Sequence, residues 1–193
     1  MQKKTGYVSD WTSRRSFLKV SGCCTALVLA GCKDIDTGKK SAVRPTTGDA
    51  ELAEWAKNRF LTHWNCSQAV LEALGPKYGL DHELAVKVAC PFAAGMWKGK
   101  TCGSFTGAYM AIGMAHGAIG KKEDHFAVNA VIDRVKEFDK AQMARFGTLD
   151  CSSLLGSDMS TPEGIKEAAG KGMFTKVCPK TVVAAVNEVL KIT

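Results

Sequence analysis

No two cysteines in this 193-residue chain are separated by only two residues. Neither ferredoxin spacing nor the usual zinc spacing is therefore present, and the lack of C-x-x-C-H removes covalently attached haem. Also missing is any alternating apolar and polar run that would make a half-buried strand. There is no paired-carboxylate, Ser–His–Asp, phosphate-loop or nucleic-acid signature, so no catalytic residue is named and whether the chain is an enzyme stays open. The four histidines, His63, His82, His116 and His125, are scattered. His116 and His125 could approach a cysteine site, but a lone helical histidine is more often packed or solvated than a ligand.

Composition points to one folded domain. Hydrophobic residues make up 46% and charged residues 23% of the chain, the balance of a globular domain with its own core. The net charge of +7 is concentrated at the N-terminus. Residues 1–31 hold Lys3, Lys4, Arg14, Arg15 and Lys19 against Asp10, which is +4 and leaves +3 for everything else. A nucleic-acid partner is not expected from so modest an excess.

The N-terminal segment has the order of an export signal. Ser13-Arg14-Arg15-Ser16-Phe17-Leu18-Lys19 is followed by an uncharged stretch over residues 20–30, a charged region and then a short apolar one. Eleven residues rise about 17 Å as a helix, too little for a hydrocarbon core of about 30 Å. The run fits the twin-arginine pattern, with Arg14 and Arg15 as the signal pair. Leu29-Ala30-Gly31-Cys32 resembles a lipobox, which makes Cys32 the first mature residue and the attachment point for a lipid anchor. Residues 32–48 then read as a flexible tether. The expectation is an exported protein held on the outer face of the membrane or in the periplasm.

From residue 49 onward the apolar residues recur at spacings of three and four, which predicts an all-α bundle of six to eight helices over 49–193. A first helix over 50–63 places Leu52, Trp55, Ala56, Phe60 and Trp64 on one face, with Asp49 as its cap. Asn65 caps a second, with Ala69, Val70, Leu71 and Leu74 inward, ending at Gly75-Pro76. Asp81 caps a third, with Leu84, Ala85, Val88 and Ala89 inward until Cys90-Pro91. In the stretch 102–120 the residues Gly103, Gly107, Ala111 and Ala115 fall four apart, leaving one helix side almost without bulk, so that another backbone can approach. A long helix over 123–146 offers Phe126, Ala130, Val131, Val135, Phe138 and Met143 for burial and stops at Gly147. Cys151 opens a short segment with Leu154 and Leu155, Thr161-Pro162 opens a helix, and Cys178-Pro179 opens the last, with Val182, Val183, Val186, Val189 and Leu190 inward.

Five cysteines lie in this helical part: Cys66, Cys90, Cys102, Cys151 and Cys178. All but Cys90 fall at or next to an expected helix start, where unpaired N–H groups and the positive dipole end favour a thiolate. Their separations are 36, 49 and 27 residues. Cys90 sits at a helix end and is expected to be a small buried residue, the alternative being a substitute ligand or resolving thiol near Cys102. Trp64, Trp97, Phe92 and Phe105 could shield a cysteine site. Lys98, Lys100, Lys121 and Lys122 form a basic neighbourhood that would suit an acidic redox partner, although a plain solvated face is commoner.

Asn65-Cys66-Ser67-Gln68-Ala69-Val70, Cys102-Gly103-Ser104-Phe105-Thr106-Gly107-Ala108 and the single Cys151 and Cys178 resemble the C-GCAxxG-C-C family of redox-active proteins over about residues 51–190. Ser104 departs from the alanine of the family pattern. More remotely, the arrangement is similar to the cluster-carrying part of split-Soret cytochromes. That resemblance implies an iron–sulfur cluster, two-iron, on Cys66, Cys102, Cys151 and Cys178, and a role in electron transfer or redox sensing. The residues alone leave two alternatives open, disulfide chemistry among the same thiols and a structural zinc site.

Overall fold

The computed structural model describes residues 48–117, 119–120 and 125–193. The twin-arginine pair Arg14 and Arg15, the lipobox with Cys32, and the lysines Lys121 and Lys122 lie outside the described residues. Those described form an all-α bundle: α1 (Asp49–His63), α2 (Cys66–Leu74), α3 (His82–Ala89), α4 (Gly103–His116), α5 (His125–Phe146), α6 (Cys151–Leu155), α7 (Pro162–Gly170), α8 (Met173–Lys176) and α9 (Cys178–Ile192). A 3-10 turn follows α2 over Gly75–Tyr78, another follows α3 over Cys90–Phe92, and a wide turn spans Gly95–Gly99.

Helix α2 is buried along nearly its whole length and packs between α1, α4 and α9. The approach to α4 is close because Gly107 carries no side chain: a Cβ there would stand 2.9 Å from Ser67 O and 3.1 Å from Val70 Cβ. The glycine is unfavourable in a helix interior by about 1 kcal/mol, and the packing it permits offsets that cost. Phe105, Phe138, Leu71, Leu74 and Ile112 are fully enclosed in the shared core, each contributing about 1.5–3 kcal/mol on transfer from water. Glu72, also fully enclosed, is held by an ion pair with Arg59 and lies 3.2 Å from His82 Nε2.

The caps expected at Asn65, Asp81 and Thr161 form, their side chains accepting from the amides of Gln68, Leu84 and Gly164 at 3.0, 3.0 and 3.1 Å. Three expectations need correction. Asp49 is the first helical residue and Gly48 the cap of α1, since the chain enters that helix through a positive φ of 77°. In α3 the inward stripe is Ala85 and Ala89, while Leu84 and Val88 are exposed; small residues let α3 lie close on α2 and rotate the larger ones outward. In α5 only Phe138 and Gln142 are fully buried, and Phe126 is 87% exposed. The apolar period assigns a face to this helix, but not the length over which α4 and α9 cover it.

Candidate functional site

Three of the four expected cysteines are the first residues of helices, Cys66 in α2, Cys151 in α6 and Cys178 in α9, and Cys102 is the cap of α4. The amides of Phe105 and Thr106 both donate to Cys102 O, at 2.9 and 3.0 Å. All four side chains are buried, and all four line one cavity of about 140 Å³. Its remaining wall is almost wholly apolar, including Phe60, Met159, Ile165 and Phe174. Sulfurs as much as 112 positions apart in the chain, at 66 and 178, therefore share one apolar chamber. Among the described residues no group of three or more His, Cys, Asp or Glu is gathered about a single ion position.

The thiols are electrically unequal. Cys102 is held well below the usual thiol range because Cys151 and then Cys66 hydrogen-bond to its sulfur, with the Ser104 amide and side chain adding to this against the cost of burial. Cys66 and Cys151 are both pushed up, first because their protons are engaged by Cys102 and second by burial. Cys178 is pushed up to about 12 by burial and by the charge on Cys102. The chamber thus favours one central thiolate with protonated neighbours, the arrangement expected when several like charges would otherwise be enclosed together.

Backbone geometry brings these sulfurs together. Cys102 N donates to Leu149 O at 2.8 Å and Cys151 N to Lys100 O at 2.7 Å. Gly103 leaves room for Cys66: a Cβ at 103 would meet its Sγ at 2.5 Å and Phe92 O at 2.9 Å. Above them, residues 94–97 all have left-handed dihedrals, with φ of 51° at Ala94, 63° at Gly95, 60° at Met96 and 56° at Trp97. Each non-glycine residue in that conformation costs about 1–2 kcal/mol, and such strain gathers at functional sites. The segment supplies two things to the chamber. The Ala94 amide donates to Cys66 sulfur, and Trp97, 56% exposed, forms part of the cavity wall.

Sequence reasoning missed Thr181. Its hydroxyl is buried, donates to Cys178 O at 2.9 Å, and lies 3.0 Å from Ser104 Oγ and 4.0 Å from Cys102 Sγ. The available signal was its position three residues after Cys178, where a hydroxyl in the first turn of a helix reaches back to the backbone. Ser104 joins the same polar string, so the hydroxyl that departs from the family pattern has a partner. Of the proposed aromatic shields only Trp97 lines the chamber. Phe105 is core, stacked edge-on against Phe138 at 5.8 Å, and Trp64 is exposed against Phe60. Phe92, His116 and His125 do not line the cavity.

Cys90 corrects the expectation of burial: it is exposed and outside the chamber. The helix-ending turn Cys90–Phe92 directs its backbone inward, where Cys90 O accepts from Asn65 Nδ2 at 3.2 Å, and leaves its thiol facing solvent.

No curated protein and no solved structure matches the chain. A family model, C_GCAxxG_C_C, described as putative redox-active protein, matches residues 64–192 and so takes in all four chamber cysteines. With most of its length accounted for in that way, the chain belongs to the C_GCAxxG_C_C redox-active family.

Proposed function

We propose that this is a one-electron redox protein in which Cys66, Cys102, Cys151 and Cys178 hold a two-iron, two-sulfur cluster. The supporting observation is the meeting of four buried sulfurs in one apolar chamber. The donor set fits: a two-iron core takes two thiolates on each iron, four in all, and four cysteines line the chamber. The cluster would supply a site that gains and loses single electrons. The chain's own groups would set its environment, with the Ala94 amide on Cys66 and the Ser104 amide and side chain on Cys102 stabilising negative charge on sulfur.

The N-terminal motifs fit a role outside the cytoplasm. Export through Arg14 and Arg15 would carry an already folded, cofactor-loaded domain, and a lipid on Cys32 would hold it at the membrane surface. Replacement of Arg14 and Arg15 by lysine should retain the protein in the cytoplasm, and Cys32→Ala should abolish labelling by radioactive palmitate.

A second reading is favoured by the hydrogen bonds that Cys102 accepts from both Cys151 and Cys66. The Cys102 thiolate could attack a disulfide in a partner protein. Resolution by the Cys151 or Cys66 thiol would then leave one disulfide here and, in the partner, one thiol and one thiolate that takes its proton from water, moving two electrons in all. Anaerobically purified full-length protein decides between them. The cluster reading expects visible colour with about two iron and two acid-labile sulfide per chain, lost in Cys102→Ala. Colourless, iron-free protein with a reversible two-electron disulfide overturns it in favour of the second.

A further inference from the structure

A groove of about 560 Å³ opens between α1, α5 and α9, lined by Lys57, Arg145, Phe146, Pro179, Lys180 and Val183. Three cations from three separate helices converge on an apolar floor. Lys57 is paired with Glu54 at 2.5 Å, but neither Arg145 nor Lys180 has an ion-pair partner among the described residues. Lys180 also sits in the first turn of α9, which contains no acidic residue. A cation is unfavourable at that end of a helix, and no ion pair among the described residues offsets it there.

The groove is connected to the cysteine chamber in two ways. Pro179 directly follows Cys178, about 3.8 Å away along the backbone, and is itself buried as groove floor. Phe146 packs on Phe105 with ring centroids 6.1 Å apart, and the Phe105 amide donates to Cys102 O at 2.9 Å. Two of the four cysteines thus lie one or two residues behind this surface.

We infer that the Lys57–Arg145–Lys180 groove is the docking face for an acidic electron-carrier protein. The inference rests on the one-electron reading above. On docking, one electron leaves the chamber and one is gained by the carrier, with no bond made or broken. Electrostatic complementarity raises the encounter rate and makes it salt-dependent, and the apolar floor contributes the contact area. This differs from the basic neighbourhood legible in the sequence, whose described members Lys98 and Lys100 follow Trp97, an exposed residue of the chamber wall.

The test uses the full-length chain, its R145E/K180E variant and, as a control, K98E/K100E. Calorimetric titration with polyglutamate needs no electron transfer: wild type and K98E/K100E should bind in low salt, and R145E/K180E should not. Stopped-flow oxidation of the reduced protein should be slowed about tenfold in R145E/K180E with anionic hexacyanoferrate(III), and accelerated with cationic hexaammineruthenium(III), at unchanged midpoint potential. Equal rates for wild type and R145E/K180E, or losses confined to K98E/K100E, overturn the groove while leaving the one-electron reading intact. A wild type without a reversible one-electron response overturns that reading, and the groove's assignment with it. Binding to phosphatidylglycerol vesicles that R145E/K180E alone loses, with no change in polyglutamate binding, reassigns the face to an anionic membrane surface and overturns the proposal. Both substitutions are on exposed side chains, and an unchanged circular dichroism melt verifies that each variant is folded.

Discussion

Thr101 and Asp150 face each other in an isolated antiparallel bridge, and each immediately precedes a chamber cysteine. Cys102 N and Cys151 N donate across that bridge to Leu149 O and Lys100 O. Two thiols 49 residues apart in the chain are thereby set side by side before any side-chain contact is considered. The pairing also satisfies amides that would otherwise be buried without partners at the mouths of two helices.

The metal-free chain should titrate one thiol early. Cys102 lies well below the ordinary thiol value because Cys151 and Cys66 hydrogen-bond to it. Thiolate absorbance should therefore show one chamber thiolate forming below the ordinary thiol range, absent in Cys102→Ala. In that variant Cys66 and Cys151 should shift down, having lost the acceptor for their protons. The stabilisation from the depressed Cys102 value is present above the unfolded thiol pKa and is lost as pH falls through the folded one.

Cys178 has the opposite sign. Its value is raised from 9.0 to about 12, so its contribution is complete below the unfolded value and is lost as pH rises from about 9 to about 12. The difference in denaturation midpoint between metal-free wild type and Cys178→Ala should shrink over that interval.

Glycine substitutions on α4 should divide sharply. Gly103→Ala places a methyl 2.5 Å from Cys66 Sγ and 2.9 Å from Phe92 O, and overpacking of that kind costs about 1–3 kcal/mol. At Gly113 an added Cβ meets nothing within 4 Å, so Gly113→Ala should stabilise by about 0.5–1 kcal/mol through helix propensity and unfolded-chain entropy. Urea titration of the two variants checks both signs.

Thiol accessibility should follow position and not helix-start chemistry. Exposed Cys90 should react with iodoacetamide before any of the four enclosed cysteines, read by peptide mass spectrometry, and Cys90→Ser should change stability by no more than about 0.5 kcal/mol. Trp97→Ala opens the chamber wall, so labelling of Cys102 should rise severalfold.

The buried Glu72 offers a control remote from sulfur. Arg59→Met leaves the enclosed carboxylate without its guanidinium, with only His82 Nε2 at 3.2 Å. A loss of about 3–5 kcal/mol is expected. The double variant Arg59→Met/Glu72→Leu should recover most of it.

Local signals in the sequence determined the helical class, the caps at Asn65, Asp81 and Thr161, and the placement of cysteines at helix starts, because periodicity, capping hydrogen bonds and Gly or Pro stops act over a few residues. The slim side of α4 was legible for the same reason. Tertiary structure alone decided that four sulfurs share a chamber, that Thr181 joins them, and that Cys90 faces outward. It also decided the left-handed turn at residues 94–97, whose non-glycine residues oppose that conformation and adopt it only under the surrounding packing. How far α4 and α9 cover α5 was likewise beyond the sequence. A residue's period names its face, whereas burial depends on what another segment brings against that face.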